Sequence, residues 1–200
     1  LSAGTYSVTA TDENNYSVSI SVEITETEAM DISAVLSDYT GYGVSCNGAS
    51  DGSIDVTVTG GTGNYTYDWS NGESTEDVSN LGAGTYSVTV TDENNCSVSI
   101  SVEITETEAM DISAVSSDYT GYGVSCNGAS DGSIDVTVTG GTGNYTYLWS
   151  NGASDGVTTE DLDNIPAGVY TVEATDENNC SGSMVVVITE TAAMDISAVT

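Results

Sequence analysis

Residues 83–104, AGTYSVTVTDENNCSVSISVEI, decide how this chain folds. Between residues 85 and 91 every second side chain is apolar, and the same alternation runs from Cys96 to Ile104. A period of two is typical of strands that bury one face and expose the other. The intervening Asp-Glu-Asn-Asn at 92–95 consists of turn-forming residues. The stretch therefore predicts two half-buried strands joined by a turn.

Further alternating runs occupy residues 53–59 and 65–70, separated by Gly- and Asn-rich segments. Short strands at this spacing, with turns between them, predict an antiparallel β-sandwich, and no helical period of useful length is present. The fold class expected is all-β. The shared phase predicts these core residues: Ile54, Val56, Tyr67, Trp69, Tyr86, Val88, Val98 and Ile100.

The chain repeats itself with a period of 80 residues. Residues 81–115 match residues 1–35 with three substitutions, and residues 110–152 match residues 30–72 with two. Four additional residues near 153–158 lengthen the last repeat. A period of this size suits small domains in tandem. We expect the end of one repeat at 1–28, complete repeats at 29–108 and 109–192, and the start of another at 193–200, as a window on a longer array.

The charge of the chain excludes several functions. It has 31 Asp and Glu, no Lys, Arg or His, and a net charge of −31. Without cationic side chains it is unsuited to phosphates, so nucleic-acid partners are not expected, and anionic membrane surfaces would repel it. It contains no apolar run of 18 residues, so no membrane insertion is expected in this segment. Histidine and lysine catalysis is excluded, and an enzyme that uses only carboxylates is disfavoured on a small repeated domain.

Four cysteines follow the repeat: Cys46, Cys96, Cys126 and Cys180. Pairing within each repeat gives Cys46–Cys96 and Cys126–Cys180. Pairing between repeats would join Cys96 to Cys126 and would leave Cys46 opposite Tyr16. We favour the scheme within repeats, with buried free thiols as the alternative, and two thiolates without histidine make a poor zinc site. Disulfides are typical of an oxidising, extracellular compartment.

Several motifs occur in a fixed order in both complete repeats. In the first they are VSCNGASDGS (44–53), VTVTGG (56–61), YTYDWSNG (65–72), AGTYSVTVTD (83–92) and Cys96. This order resembles the SprB repeat of very large surface adhesins of gliding bacteria, which the type IX secretion system exports. The resemblance implies tandem immunoglobulin-like β-sandwich domains. It also implies a shaft segment of an extracellular adhesin or cell-surface filament, serving attachment or gliding. Tyr16 departs from the pattern, because a cysteine is expected there.

That role implies partners outside the chain as well as within it. Neighbouring repeats of the same chain would pack together, and like chains in a filament or a surface polysaccharide would be external partners. The linker at 105–111 contains no Gly or Pro and joins a strand ending near Ile104 to one beginning near Ile112. We therefore expect a semi-rigid array.

Clustered oxygens in two turns make calcium the one cofactor to consider. The candidate ligands are Asp92, Glu93, Asn94, Asp176, Glu177 and Asn178. Their spacing matches no EF-hand, and the alternative is that they are solvated turn residues. An alternative function is accordingly a secreted calcium- or carbohydrate-binding module, which an exposed aromatic platform would favour.

The aromatic residues each have two interpretations. Trp69 and Trp149 are expected to pack between sheets, with sugar stacking as the alternative. Tyr86 and Tyr170 are expected at tyrosine-corner positions. The Tyr-containing loops at 38–43 and 118–123 would either cover a domain junction or form an exposed contact patch.

Overall fold

The computed structural model describes residues 1–150 and 156–196. Every regular element among these residues is a β-strand, which confirms the predicted all-β class. The fourteen strands are β1 Gly4–Thr11, β2 Ser17–Ile24, β3 Asp31–Leu36, β4 Gly52–Thr59, β5 Thr66–Trp69, β6 Val78–Leu81, β7 Gly84–Thr91, β8 Ser97–Ile104, β9 Asp111–Ser116, β10 Gly132–Thr139, β11 Thr146–Ser150, β12 Leu162–Ile165, β13 Gly168–Thr175 and β14 Ser181–Ile188.

The chain divides into two compact units. One comprises Leu1–Val35, Ile54–Val78 and Thr85–Val102, and the other comprises Leu36–Ser53, Ser79–Gly84 and Glu103–Thr200. The second unit therefore contains all of β9–β14 together with the loop that follows β3. The repeat boundaries predicted from the 80-residue period remain predictions.

Strands β9–β14 form two three-stranded sheets, β12-β10-β9 and β11-β13-β14, with antiparallel pairing throughout. The first, second and fourth strands thus make one sheet, and the third, fifth and sixth make the other. Strands A, B and E of the immunoglobulin fold likewise share one sheet, and strands C, F and G share the other. The same order recurs in β3–β8, as sheets β3-β4-β6 and β5-β7-β8.

The core of β9–β14 lies between its two sheets. Trp149 on the third strand is fully buried, and its indole N–H donates to the Thr159 carbonyl at 3.0 Å. Tyr170 is also fully buried, and its hydroxyl donates to the Pro166 carbonyl at 2.8 Å, four residues upstream. A buried Trp and a tyrosine corner at these two positions are hallmarks of the immunoglobulin sandwich. The packing interpretation of Trp149 and Tyr170 is confirmed.

The predicted core of the first complete repeat is correct in part. Ile54, Val56, Trp69 and Val88 are buried, whereas Tyr67, Tyr86, Val98 and Ile100 are only half-buried. Val98 and Ile100 lie on β8, an edge strand of its sheet, which leaves their apolar face partly uncovered. Trp69, like Trp149, is held through its indole N–H, which donates to the Thr75 carbonyl at 2.8 Å. Neither tryptophan offers an exposed sugar-stacking face.

Strands β1 and β2 form a hairpin with Gly4 opposite Ile24 and Thr11 opposite Ser17. Tyr6 repeats the tyrosine corner, donating to the Ser2 carbonyl at 2.9 Å. The turn of the hairpin has Asn15 at φ 64°, in the left-handed region that asparagine tolerates. The local chemistry of the repeat is therefore preserved in this partial copy.

Candidate functional site

The site begins with the loop at residues 38–48, which follows β3. Tyr39 and Tyr42 form an antiparallel bridge, in which the Tyr39 N–H donates to the Tyr42 carbonyl at 2.7 Å. Asp38 Oδ1 accepts the N–H of Gly41 at 2.6 Å, which is a common device for closing a tight turn. The loop is therefore shaped by its own hydrogen bonds.

The second half of the loop is anchored to the segment that follows β8. Three hydrogen bonds do this: Gly43 N to Thr105 O (3.0 Å), Asn47 Nδ2 to Thr107 O (2.8 Å) and Gly48 N to Glu106 Oε2 (2.6 Å). Gly43 packs so closely that a Cβ there would lie 2.7 Å from Cγ2 of Ile104. This anchoring places Cys46 at the C-terminal end of β8.

Asp51 fixes the backbone beside the cysteine. Its Oδ1 accepts the N–H of Ser45 at 3.1 Å, and hydrogen bonding from the side chain and backbone of Ser45 lowers the pKa of the carboxyl. Asp131 is held in the same way by Ser125, at 3.0 Å, and its pKa is lowered for the same reason. In both repeats a carboxylate thus holds the backbone next to a cysteine.

The second component is the turn at residues 176–180, between β13 and β14. Asp176 Oδ1 accepts the N–H groups of Asn178 (2.9 Å) and Cys180 (2.8 Å), and Oδ2 accepts that of Thr142 (2.8 Å). Asp176 is buried, and Asn179 takes a φ of 66°. One carboxylate therefore satisfies three backbone donors and presents Cys180 at the start of β14.

The loop and the turn are joined covalently. Cys46 and Cys180 form a disulfide with a Cα–Cα distance of 5.7 Å and a sequence separation of 134. Cys180 Sγ also lies 3.1 Å from the carbonyl oxygen of Ser45. The bond links a loop of the first complete repeat to a turn of the second.

Asn178 adds a polar contact beside the disulfide. Its Nδ2 donates to the Tyr39 carbonyl at 3.2 Å and to Thr142 Oγ1 at 3.2 Å, and its Oδ1 accepts the Thr40 hydroxyl at 3.0 Å. Tyr39 is half-buried here. At residues 38–43 this contact favours the interpretation as a junction cover, whereas Tyr119 and Tyr122 of the loop at 118–123 are each 40% exposed.

The predicted pairings Cys46–Cys96 and Cys126–Cys180 are wrong. Cys96 immediately precedes β8, whereas Cys46 is anchored beyond the other end of that strand. Eight residues of strand span roughly 27 Å, and a disulfide needs Cα atoms within about 7 Å. The same argument excludes a bond between Cys126 and Cys180. Cys180 immediately precedes β14, whereas Asn127, next to Cys126, is hydrogen-bonded to Thr191 beyond the other end of that strand. Shared phase on a strand face did not reveal which end of the sandwich each cysteine occupies.

Cys96 and Cys126 are free and exposed. Of the four cysteines expected to form disulfides, Cys46 and Cys180 do so, but with each other and not with their predicted partners. The alternative of buried free thiols is also incorrect for the other two, because both are on the surface.

The predicted calcium ligands take part in hydrogen bonds. Asp92 accepts the N–H groups of Asn94 and Cys96 on Oδ1 (2.9 and 2.8 Å) and that of Thr62 on Oδ2 (3.0 Å). Among residues 1–150 and 156–196, no group of three or more Asp, Glu or Cys side chains converges to hold a metal ion. Calcium binding remains a prediction.

The glutamates beside those aspartates brace the neighbouring loop. Glu93 Oε1 accepts from Asn64 Nδ2 at 2.7 Å, and Glu177 Oε1 accepts from Asn144 Nδ2 at 2.6 Å. Both carboxylates remain exposed to solvent. Their visible role is to join the turn before the last strand to the Gly-rich loop after the second strand.

Taken together, the strand order, the buried Trp and the tyrosine corner define an immunoglobulin-like sandwich, and the period makes the chain a tandem array of such sandwiches. The SprB repeat family matches this chain at residues 44–74 and 124–154. The resemblance predicted from the motifs is thereby confirmed at two places in the chain. Both matches begin two residues before a cysteine of the 46/126 position.

The solved structures that are similar to the chain include two that contain Ig domains. One is the N-terminal eight Ig domains of Down syndrome cell adhesion molecule isoform 1.30.30, at 14% identity and a TM-score of 0.47. The match covers 95% of this chain and 28% of that chain. The other is Dpr2 Ig1–Ig2 in complex with DIP-Theta Ig1–Ig3, at 11% identity and a TM-score of 0.30, covering 94% of this chain and 72% of that one. No curated protein matches the chain. A helix able to cross a membrane is absent from the residues described.

Proposed function

We propose that this segment is a shaft that carries tension in a large extracellular bacterial adhesin or surface filament, which serves attachment or gliding. The SprB matches support a repeat segment of an adhesin-like surface protein. The single observation that carries the mechanical role is the disulfide between successive repeats. A covalent bond at a repeat junction resists separation far better than a small noncovalent interface does.

The mechanical consequence follows from where the two cysteines lie. Tension that enters through residue 46 passes through the disulfide to residue 180, so the strands from β4 to β13 lie outside the direct load path. Those strands contain most of the core of both complete repeats. Such a bond persists in an oxidising compartment, which is consistent with the cell surface.

We assign no reaction to the segment. Its partners are the neighbouring repeats, through the loop at 38–48 and the turn at 176–180. Like chains or a surface polysaccharide are the external partners expected of an adhesin. The net charge of −31 would keep the surface of each chain hydrated, and it would make like chains repel one another at low ionic strength.

Antibodies against the purified segment test the proposal on cells of the source organism. We expect them to label intact, unpermeabilised cells, and monovalent Fab fragments to reduce attachment or surface movement. Fab fragments against an unrelated surface protein are the control. Labelling that requires permeabilisation would contradict the surface location. Normal attachment and movement under saturating Fab would contradict the adhesive role.

A further inference from the structure

We propose that Cys126 and Cys96 are the two halves of further disulfides between repeats. In this arrangement the loop at 118–128 receives the turn at 92–96 of another repeat of the same kind. For the isolated chain, that repeat is supplied by a second copy. The inference rests on the internal comparison with the bonded pair Cys46–Cys180 and is independent of the adhesive role.

The receiving loop already has the geometry of the bonded loop. Residues 38–48 and 118–128 have the same sequence, DYTGYGVSCNG, and the Tyr119 N–H donates to the Tyr122 carbonyl at 2.6 Å. The anchoring bonds also recur: Ser125 N to Asp131 Oδ1 (3.0 Å), Asn127 Nδ2 to Thr191 O (2.9 Å) and Gly128 N to Glu190 Oε2 (2.7 Å). A loop that is preformed in this way pays little ordering cost when it binds.

The presented turn is preformed as well. Asp92 accepts from Asn94, Cys96 and Thr62 as Asp176 does from its own three donors, and Asn95 has a φ of 63°. Asn94 Nδ2 already donates to Thr62 Oγ1 at 3.0 Å, as Asn178 does to Thr142. In the free turn, the side-chain amide of Asn94 lacks the two partners that Asn178 has, which are the Tyr39 carbonyl and the Thr40 hydroxyl.

Exposure differs between the bonded and free copies in the way that a missing partner predicts. Asn178, Cys180, Tyr39, Ser45 and Cys46 are half-buried, whereas their counterparts are exposed. Those counterparts are Asn94, Cys96, Tyr119, Ser125 and Cys126. Tyr119 and Tyr122 are each 40% exposed, although large aromatic side chains normally bury more of their surface. The free loop and the free turn are thus two complementary, uncovered surfaces.

Bond formation requires an oxidant, and a low-molecular-weight disulfide such as oxidised glutathione supplies it. The Cys126 thiolate attacks oxidised glutathione, forming a mixed disulfide and releasing one glutathione thiolate. The Cys96 thiolate of the second copy then attacks the Cys126 sulfur and releases the second glutathione. Two protein thiols are oxidised to one disulfide, and one oxidised glutathione is reduced to two thiols.

Successive bonds of this kind would interlock. Cys126 lies between Cys46 and Cys180 in the sequence, so a bond from Cys126 to a following repeat begins inside the segment that the preceding bond closes. Each closed segment would then overlap the next. An array linked in this way has more than one covalent path between adjacent repeats.

Complementary cysteine variants test the pairing. C96S retains the Cys126 loop, and C126S retains the Cys96 turn. We expect an equimolar mixture of the two variants in oxidised glutathione to give about tenfold more heterodimer than either homodimer. A tenfold ratio corresponds to a free-energy preference of about 1.4 kcal/mol for the heterodimer. Labelling one variant with ¹⁵N identifies the heterodimer by mass. Glu-C peptides should contain Cys126 bonded to Cys96, because trypsin has no site in this chain. The unsubstituted chain should form a ladder of oligomers that reductant dissolves.

N94A provides a test that leaves both thiols in place. Since two hydrogen bonds to the receiving loop would be missing, we expect the rate of Cys96–Cys126 bonding between copies to fall about threefold to tenfold. N14A is the matched control, because it alters the same turn in the partial repeat where Tyr16 replaces cysteine. A statistical mixture of homo- and heterodimers would overturn the proposal, as would a Cys96–Cys126 bond within one chain or an equal effect of N94A and N14A.

Discussion

The loops at 38–48 and 118–128 have the same sequence and share most of their internal hydrogen bonds, yet one is bonded to a turn and the other is open. Their shared shape is therefore a local property, set by the Asp-based turns and by the hydrogen bond from the first Tyr N–H to the second Tyr carbonyl. The cysteine of each loop forms a disulfide only where a turn equivalent to residues 176–180 lies beside the loop. The comparison separates what a repeat carries in its own sequence from what only a neighbouring repeat supplies.

The largest difference should appear under mechanical load. If the termini are pulled, the bonded chain cannot extend between Cys46 and Cys180. We expect complete unfolding to release about 450 Å less chain in the oxidised protein than in the reduced protein, since 134 residues at about 3.3–3.6 Å each are retained. Single-molecule force spectroscopy with and without dithiothreitol measures this length.

C180S and C126S are the matched variants for that experiment. C180S removes the bond and should give the long extension even without reductant. C126S alters the open loop and should behave as the unsubstituted chain does. Equal extension of the oxidised protein and C180S would show that the 46–180 bond is absent in solution.

The sequence predicted most of the fold and little of the junction. Alternation in residues 85–91 and 97–104 located β7 and β8, because one face of each strand is apolar and a single period describes it. Strands β6 and β12 were not predicted, since Val-Ser-Asn-Leu and Leu-Asp-Asn-Ile are too short to show a period. Both also have an Asn in the left-handed region, at φ 58° and 57°.

The disulfide pairing could not be predicted from phase. Phase reports which face of a sheet a residue occupies, whereas pairing depends on which end of the strand each cysteine reaches. A signal was nevertheless present in the repeat, because Cys96 immediately precedes the last strand and Cys46 precedes the second strand. Antiparallel strands of eight residues keep such positions apart within one domain.

The polar part of the junction should have the next largest effect. N178A removes the bonds to Tyr39 and Thr40, so we expect the equilibrium constant for forming Cys46–Cys180 from glutathione to fall about fivefold to thirtyfold, corresponding to about 1–2 kcal/mol. Quantifying free thiols across a series of glutathione ratios measures it. N94A is the control and should leave this constant unchanged. A similar fall in both variants would mean that Asn178 acts only on its own turn.

Calcium gives a smaller test of the turns themselves. If Asp92, Glu93 and Asn94 or their counterparts bind calcium with a Kd near 1 mM, 5 mM calcium should add about 1 kcal/mol of stability. Thermal melts in calcium, magnesium and sodium chloride at equal ionic strength separate binding from charge screening. E93Q removes one carboxylate from the open turn at 92–96, and E177Q removes one from the disulfide-bonded turn at 176–180. Coincident melts in all three salts would leave these turns with a structural role alone.

The smallest effect concerns the carboxylates that hold the two loops. Hydrogen bonds from Ser45 and Ser125 lower the pKa of Asp51 and Asp131, so both should titrate below the ordinary aspartate value of 3.8. A lowered pKa in the folded state means that the carboxylate contributes stability above the ordinary value. That contribution is lost as pH falls through the lowered value. ¹³C NMR of labelled aspartate, assigned with D51N and D131N, measures both titrations.

This last titration examines the comparison between the loops directly. Because the open loop keeps the hydrogen bond to its aspartate without a neighbour, Asp131 should be shifted in the same direction as Asp51. S125A should return Asp131 toward the ordinary value and leave Asp51 unchanged, because each serine acts within its own loop. A shift confined to Asp51 would mean that the bonded turn organises the loop. The claim that residues 118–128 take their shape without a partner would then be wrong, and the proposed pairing of Cys126 depends on that claim.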